Sequence, residues 1–149
     1  MRNILVVIPA RGGSKGIPRK NIINICGRPL IDYTIRSALQ VDRISDVVVS
    51  TEDEEIAIVS KELGAQVPFI RPEHLATDQA QSAPVVIDAL KEMEKIKNKK
   101  YDAVLMLQPT SPLRTQSHID KAIDLFFSQE CDSVVSVVSV GGTHPFRMK

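Results

Sequence analysis

The chain of 149 residues has the length of a single domain, and its composition (43% hydrophobic, 25% charged) is that of an ordinary globular protein. No apolar run approaches the ~18–20 residues that cross a bilayer, and the apolar start at 4–8 is too short for a signal peptide. A net charge of +1 argues against a general nucleic-acid binder.

The cysteines and histidines are scattered. Cys26 and Cys131 form no CxxC pair, and His74, His118 and His144 have no metal-ligand spacing. We therefore expect no zinc site and no disulfide framework, but two reduced thiols in a cytoplasmic protein.

The first half of the chain alternates between apolar runs and helical patterns. Residues 3–9 form a continuous apolar run that ends at a proline, which predicts a strand buried on both faces. Residues 10–21 are rich in Gly, Lys, Arg and Pro and predict a loop, and a helix is expected over about 30–40. A second buried strand follows at 46–50. Its successor is a helix over 51–64, with capping-box spacing at the start and a glycine at the end.

The second half repeats the alternation. A strand is predicted at 66–70, then a turn-rich stretch at 71–81 and a long amphipathic helix that includes 85–96. A strand at 102–107 is followed by a helix over about 117–127. The last predicted strand is 133–140. Five strands alternating with four helices predict one α/β domain, 1–149, with a mostly parallel sheet.

Positive charge is concentrated at the start of the chain. The first 31 residues carry six basic side chains and no acidic one, whereas the remaining 118 have a net charge of −5. This asymmetry predicts a local anion site.

The loop at 10–21 is the strongest candidate for that site, because ligands of open α/β sheets bind beyond the carboxyl ends of the strands. Gly12 and Gly13 let backbone N–H groups approach an anion closely. Four cations surround the two glycines and fit a triphosphate: Arg11, Lys15, Arg19 and Lys20. The loop matches neither GxxxxGK[ST] nor GxGxxG, and a solvated basic turn is the alternative.

Three other segments reach the same edge. Gln108, after the strand at 102–107, could bind a ligand or belong to a helix-entry turn. Arg71 could pair with an internal acid or with a ligand, and Ser82 starts a helix in the ordinary way. Glu52 and Asp53 are expected to serve the dipole of the following helix rather than a metal.

The chain resembles the acylneuraminate cytidylyltransferases, the CMP-sialic acid synthetases. Their N-terminal signature is similar to VIPARGGSKGIPRKNI at 7–22, and four further blocks occur in the family's order. These blocks are VVVSTEDEEIA at 47–57, RPEHLATDQAQS at 71–82, LMLQPTSPLRT at 105–115 and SVVSV…HPF at 133–146. The resemblance implies a three-layer, Rossmann-like, mostly parallel sheet of the nucleotide-diphospho-sugar transferase type.

The family's reaction is then implied. The anomeric hydroxyl of a nine-carbon 2-keto acid sugar attacks the α-phosphorus of CTP, pyrophosphate leaves and a CMP-sugar forms. By resemblance, Lys20, Arg11 and Lys15 are catalytic cations, Gln108 faces the sugar, and Mg²⁺ takes part. The residues implied in nucleotide binding are Arg11, Gly12, Gly13, Ser14, Lys15, Asn21, Arg71 and Ser82.

The chain also departs from that family. Members continue past this point into a segment with sugar contacts and a dimer interface, and then into a DxDT-type motif whose aspartates bind metal. We therefore expect a domain truncated at its C-terminus, with no metal ligands of its own and without the usual interface of a homodimer. Its expected partners are CTP and a nonulosonic acid, with neither nucleic acid nor membrane.

Two alternatives stay open. The chain could be a non-catalytic remnant or fragment that binds CTP or CMP. It could also be another sugar nucleotidyltransferase, although the CMP-Kdo synthetases have RxxSxRxPxKP in place of RGGSKGIPRKN. The choice among N-acetylneuraminate, legionaminate and pseudaminate depends mainly on residues beyond this chain.

Overall fold

A computed structural model of the chain describes residues 2–14 and 16–139. Its five strands are β1 (Ile4–Pro9), β2 (Asn24–Ile25), β3 (Arg28–Pro29), β4 (Asp46–Ser50) and β5 (Ala103–Met106). Its four α-helices are α1 (Leu30–Leu39), α2 (Glu54–Glu62), α3 (Ser82–Lys97) and α4 (Gln116–Ser128). Within the described residues, no helix is both long and apolar enough to cross a membrane.

The main sheet is parallel, with strand order β4-β1-β5. Its central strand, β1, pairs Val7 with Val48 on one side and with Met106 on the other. Four consecutive β1 residues, Leu5 to Ile8, are fully buried. The apolar run at 3–9 is thus explained, because a central strand of a parallel sheet contacts helices on both faces.

Helices cover the two faces of this sheet and produce three layers. Val6 and Ile8 of β1 belong to a core formed with residues of α1, α2 and α4. Leu5 and Val7 point to the opposite face and pack against Ala89 and Met93 of α3. The three-layer, Rossmann-like α/β architecture is therefore confirmed.

A small antiparallel hairpin, β2–β3, lies between the first loop and α1 and was not expected from the sequence. Its turn contains two consecutive residues with positive φ, Cys26 at 52° and Gly27 at 85°. Asn24 Oδ1 accepts a hydrogen bond of 2.8 Å from the backbone N–H of Gly27. Consecutive left-handed residues are what tight hairpin turns require.

The predicted strand at 66–70 is wrong in extent. Gln66 makes one parallel bridge to Val48, and the chain then leaves the sheet. Pro68 lacks the N–H that a ladder would need next, and Ile70 is 63% exposed.

The predicted strand at 133–140 is also wrong over residues 133–139, which have no strand structure, and Val140 lies outside the described residues. Val135, Val137 and Val138 are 77%, 91% and 83% exposed. β-branched residues form a strand only where another strand offers its hydrogen-bonding edge, and no described strand pairs with this segment.

The start of α2 differs from the predicted capping box. Asp53, rather than Thr51, caps the helix, and its carboxylate accepts a 3.0 Å hydrogen bond from the backbone N–H of Ile56. Thr51 instead accepts from the N–H of Asp53 at 3.1 Å. The cap residue at this position is therefore an acid, and its carboxylate can pair with a cation in addition to capping the helix.

A buried carboxylate stabilises the amino-terminal end of β4. Asp46 is 6% exposed and accepts hydrogen bonds from the amide of Gln66 and the hydroxyl of Tyr101, each at 2.8 Å. The ammonium groups of Lys99 and Lys97 lie 2.7 and 3.3 Å from its oxygens. Burial acts to raise the pKa of Asp46, but these donors prevail and lower it to about 2.

We expect Asp46→Asn to change the acid dependence of stability. Because the folded pKa lies below the ordinary 3.8, ionised Asp46 stabilises the fold at neutral pH, and this contribution is lost as pH falls from about 4 toward 2. Urea unfolding at pH 7, 5 and 3 should show a gap between wild type and variant that narrows on acidification. Exposed Asp42→Asn is the control. A gap that is constant across this range would contradict the assignment.

Candidate functional site

An open cleft of about 300 Å³ lies beyond the carboxyl ends of β1 and β5. The structure brings seven of the predicted site residues to its walls: Arg11, Ser14, Lys20, Asn21, Arg71, Ser82 and Gln108. Gly12 and Gly13 do not line it, and Lys15 lies outside the described residues. Of the described residues that line the cleft, three are cationic and one, Asp78, is acidic. The cleft therefore has a positive balance suited to an anionic ligand.

The loop after β1 is held by its own backbone and by Asn21. The N–H of Ala10 donates to the carbonyl of Ser50 at 3.0 Å, which continues the contact between β1 and β4. Asn21 is 5% exposed, and its side-chain amide donates to the carbonyl of Arg11 at 2.9 Å. Asn21 thus supports the backbone from which the Arg11 side chain projects. The sequence did not indicate this positioning role.

Arg19 is not among the residues that line the cleft, and acidic side chains of another segment bind it. It has a left-handed φ of 54° and forms ion pairs with Asp53 and Glu55. The hydrogen bond from Arg19 holds the pKa of Asp53 below its ordinary value. Of the four cations expected around the glycines, Arg19 is therefore already neutralised by the start of α2. Lys20 is half-buried on the cleft wall, and no carboxylate of the described residues lies within ion-pair distance of it.

Gly12 is constrained by the acids that precede α2. Its N–H donates to Glu52 Oε1 at 2.8 Å, and a Cβ at this position would overlap the carboxylate of Asp53. The absence of a side chain thus permits a close approach between two protein segments. An anion-binding role for the N–H groups of Gly12 and Gly13 stays a prediction.

We expect Gly12→Ala to destabilise the fold by about 1–3 kcal/mol, since the added methyl must displace a carboxylate that Arg19 and the helix cap already hold. Gly13→Ala is the matched control, because a Cβ there meets nothing within 4 Å. Thermal unfolding of both variants measures the difference. Equal melting temperatures would refute the steric argument.

Arg71 contacts an internal acid and also lines the cleft, so contact with a ligand stays a prediction. It is 4% exposed, its Nε donates to the hydroxyl of Ser50 at 3.0 Å, and its Nη2 donates to the Ser50 carbonyl. A carboxylate oxygen of Glu52 lies 4.0 Å from Nη1. Burial lowers the pKa of Arg71, and the charge of Glu52 partly opposes that shift. The guanidinium is thus tied to the core while it also lines the cleft.

Gln108 is held in place from its backbone side. Its carbonyl accepts hydrogen bonds from Arg114 at 3.2 Å and from the hydroxyl of Thr34 at 3.5 Å. Its side-chain oxygen accepts from Thr110 at 3.5 Å. The Arg114 contact fixes the turn that presents Gln108, and the sequence analysis missed it. The signal available was an arginine six residues after Gln108, in a turn with two prolines.

The opposite wall is formed by the turn before α3 and by that helix's first residue, Ser82. In this turn Asp78 lies 2.7 Å from Arg11, as measured between a carboxylate oxygen and Nη1. This ion pair spans the cleft and is the second feature that sequence reasoning missed, because the two residues are 67 positions apart.

The described residues do not fit a protein-held metal site. They include no group of three or more His, Cys, Asp or Glu side chains that could hold a metal ion. The carboxylates of Glu52 and Asp53 are engaged by Gly12, Arg19 and the start of α2. Glu52 and Asp53 therefore organise the basic loop, a larger role than the dipole interaction expected of them.

These features define a Rossmann-like α/β domain with a basic cleft at the carboxyl edge of its sheet. The chain belongs to the cytidylyltransferase family, whose sequence model matches residues 5–147.

Relatives agree with this assignment, and a solved structure shares the fold. The chain is 44% identical over 130 residues to a pseudaminic acid cytidylyltransferase of Campylobacter jejuni, which covers 87% of this chain and 55% of that protein. It is 45% identical over 122 residues to a CMP-N,N'-diacetyllegionaminic acid synthase of Legionella pneumophila, with 82% and 52% covered. A CMP:2-keto-3-deoxy-manno-octonic acid synthetase solved with CTP has the same fold, with a TM-score of 0.71 at 22% identity, covering 85% of this chain and 48% of that one. The chain thus spans about half the length of these relatives.

Proposed function

We propose that the protein transfers CMP from CTP to the anomeric hydroxyl of a sialic-acid-type nonulosonic acid and releases pyrophosphate. The observation that carries this proposal is that Arg11, Lys20 and Arg71 line one cleft. Gln108, which follows β5, lines the same cleft. The names of the relatives support the substrate class, since they act on pseudaminic and diacetyllegionaminic acids.

Such chemistry depends on positioning and charge neutralisation. A bond forms between the sugar oxygen and the α-phosphorus, the bond from that phosphorus to the pyrophosphate oxygen breaks, and the hydroxyl loses its proton. Arg11 and Lys20 would neutralise the charge that develops on the leaving pyrophosphate. We assign Lys15 to the same task on the basis of the motif.

The remaining assignments concern binding. Arg71, Asn21 and Ser82 would surround the nucleoside, Gln108 would face the sugar, and Ser14 with the two glycines would complete the phosphate loop. Nucleotidyltransferases generally use a divalent cation, and we expect Mg²⁺ here as well. The described residues gather no group of three or more His, Cys, Asp or Glu side chains that could hold this ion. We expect the protein to act in the cytoplasm, without nucleic acid or membrane.

The test is to incubate the chain with CTP, Mg²⁺ and a mixture of nonulosonic acids, and to identify products by mass spectrometry. A CMP-sugar establishes the transfer and names the sugar. Replacing the acids by sugar 1-phosphates is the control, and a nucleotide-sugar formed only in that control would overturn the proposal in favour of a phosphosugar nucleotidyltransferase.

A second candidate follows from the relatives' length. A chain that spans about half of an enzyme could bind CTP without transferring it. Calorimetric binding of CTP without product in the incubation would favour this CTP-binding module. We place the transferase first because the cleft has a positive balance and is also lined by Gln108, the residue proposed to face the sugar.

A further inference from the structure

The two walls of the cleft are joined by one described ion pair. Arg11 belongs to the loop that follows β1, and Asp78 belongs to the segment between α2 and α3. Their side chains are 33% and 34% exposed, and Nη1 lies 2.7 Å from Oδ1. Both residues line the cleft that we assign to CTP. The pair therefore lies where the ligand would lie, not beneath it.

A carboxylate on this arginine has a direct consequence for anion binding. A guanidinium recognises carboxylates and phosphates with the same N–H donors, so Arg11 cannot offer the donors that contact Asp78 to a phosphate as well. A partly exposed ion pair adds little to fold stability, because solvent screens it. The main effect of Asp78 should therefore be on the ligand.

Asp78 lies in an exposed turn, which suits it to release and re-form its contact with Arg11. The turn contains a short 3-10 helix, Glu73–Leu75, and a backbone hydrogen bond of 3.2 Å from Ala80 to Thr77. Glu73, Thr77 and Asp78 are exposed residues of this turn. Local hydrogen bonds and only partial burial thus hold the turn around Asp78, as is typical of segments that open easily.

We propose that Asp78 is an internal competitor for the phosphate chain of the nucleotide. In the empty cleft its carboxylate occupies Arg11. The triphosphate of CTP displaces it, and it returns to Arg11 when pyrophosphate leaves. This inference rests on the proposed function. It makes Asp78 a residue that weakens binding of CTP and pyrophosphate while leaving the affinity for the nucleoside unchanged.

The experiment compares wild type with Asp78→Asn, which keeps the side-chain shape and removes the charge. Titration calorimetry with CTP and with pyrophosphate should show two- to five-fold tighter binding by the variant, about the size expected for a partly exposed ion pair. Cytidine, titrated by chemical-shift changes, should bind both proteins equally. Asp78→Ala should change affinity in the same direction, so the result does not depend on one substitution.

Two controls separate the ion pair from a general charge effect. Glu73→Gln removes the same charge from the same turn, and Glu73 has no ion pair among the described residues; it should change CTP affinity by less than two-fold. In an Arg11→Ala background, Asp78→Asn should have a smaller effect on CTP affinity than in wild type. An Asp78→Asn variant that binds CTP no better than wild type, or more weakly, overturns the inference. Failure of the proposed function is distinguishable: a protein that binds CTP without transferring it keeps the affinity difference but gives no CMP-sugar, and a cleft that takes no CTP makes wild type bind CTP no better than cytidine.

Discussion

Lys20→Ala is expected to lower CMP-sugar formation at least 100-fold while leaving the melting temperature within about 2 °C of wild type. Removal of one preorganised charge that stabilises a transition state commonly costs 100- to 1000-fold in rate. Lys20 lines the cleft, is half-buried, and has no carboxylate partner among the described residues, so its loss should not disturb the fold. The measurement is the initial rate of product formation with saturating CTP.

Two further variants define what the Lys20 result means. Lys20→Arg keeps the positive charge and should retain more activity than the alanine variant, since charge rather than exact shape is the main requirement. Lys91→Ala, on the exposed face of α3, is the matched control and should act like wild type. Turnover by Lys20→Ala at the wild-type rate would remove Lys20 from the catalytic residues.

Arg71→Ala is expected to lower the free energy of unfolding by about 2–4 kcal/mol and to abolish CTP binding. The substitution removes the donor to the Ser50 hydroxyl and one of the two donors to the Ser50 carbonyl, which keeps its bond from the N–H of Ala10. It also leaves the partly buried carboxylate of Glu52 without its nearest cation, and such uncompensated groups are costly. Urea unfolding gives the stability, and calorimetry gives the affinity.

Two variants serve as controls for Arg71→Ala. Arg43→Ala breaks exposed ion pairs with Asp120 and Asp124 and should cost less than about 1 kcal/mol. Adding Glu52→Gln to Arg71→Ala should recover part of the lost stability, because the unpaired charge is then removed. If Arg71→Ala proves no more costly than Arg43→Ala, the buried guanidinium has no structural role.

The helices and the central strand were predictable because their signals are local. The apolar run that became β1 and the helical spacing that became α3 are periodic patterns within a single segment. The strands at 66–70 and 133–139 could not be judged in this way. An apolar β-branched run is a strand only if another segment supplies hydrogen bonds, and this depends on distant parts of the chain.

Some features of the candidate site were also predictable from the sequence, and others were not. Its location, its positive charge and the residues Arg11, Lys20, Arg71 and Gln108 followed from strand ends and from motif resemblance, and the structure places all four on one cleft. That agreement arises because the segments that follow parallel strands all begin at the carboxyl edge of the sheet. The roles of individual residues within these segments remain proposals for experiment.

Contacts between segments were decided by the tertiary structure alone. Asp78 with Arg11, Glu52 with Gly12 and Asp53 with Arg19 each join residues more than 30 positions apart. No pattern along the chain marks such a pair, because its members come together only after the sheet has brought their loops to the same edge. The sequence was enough to place cations at the carboxyl edge of the sheet. Folding determines which acids pair with those cations, and hence which cations stay available for a ligand.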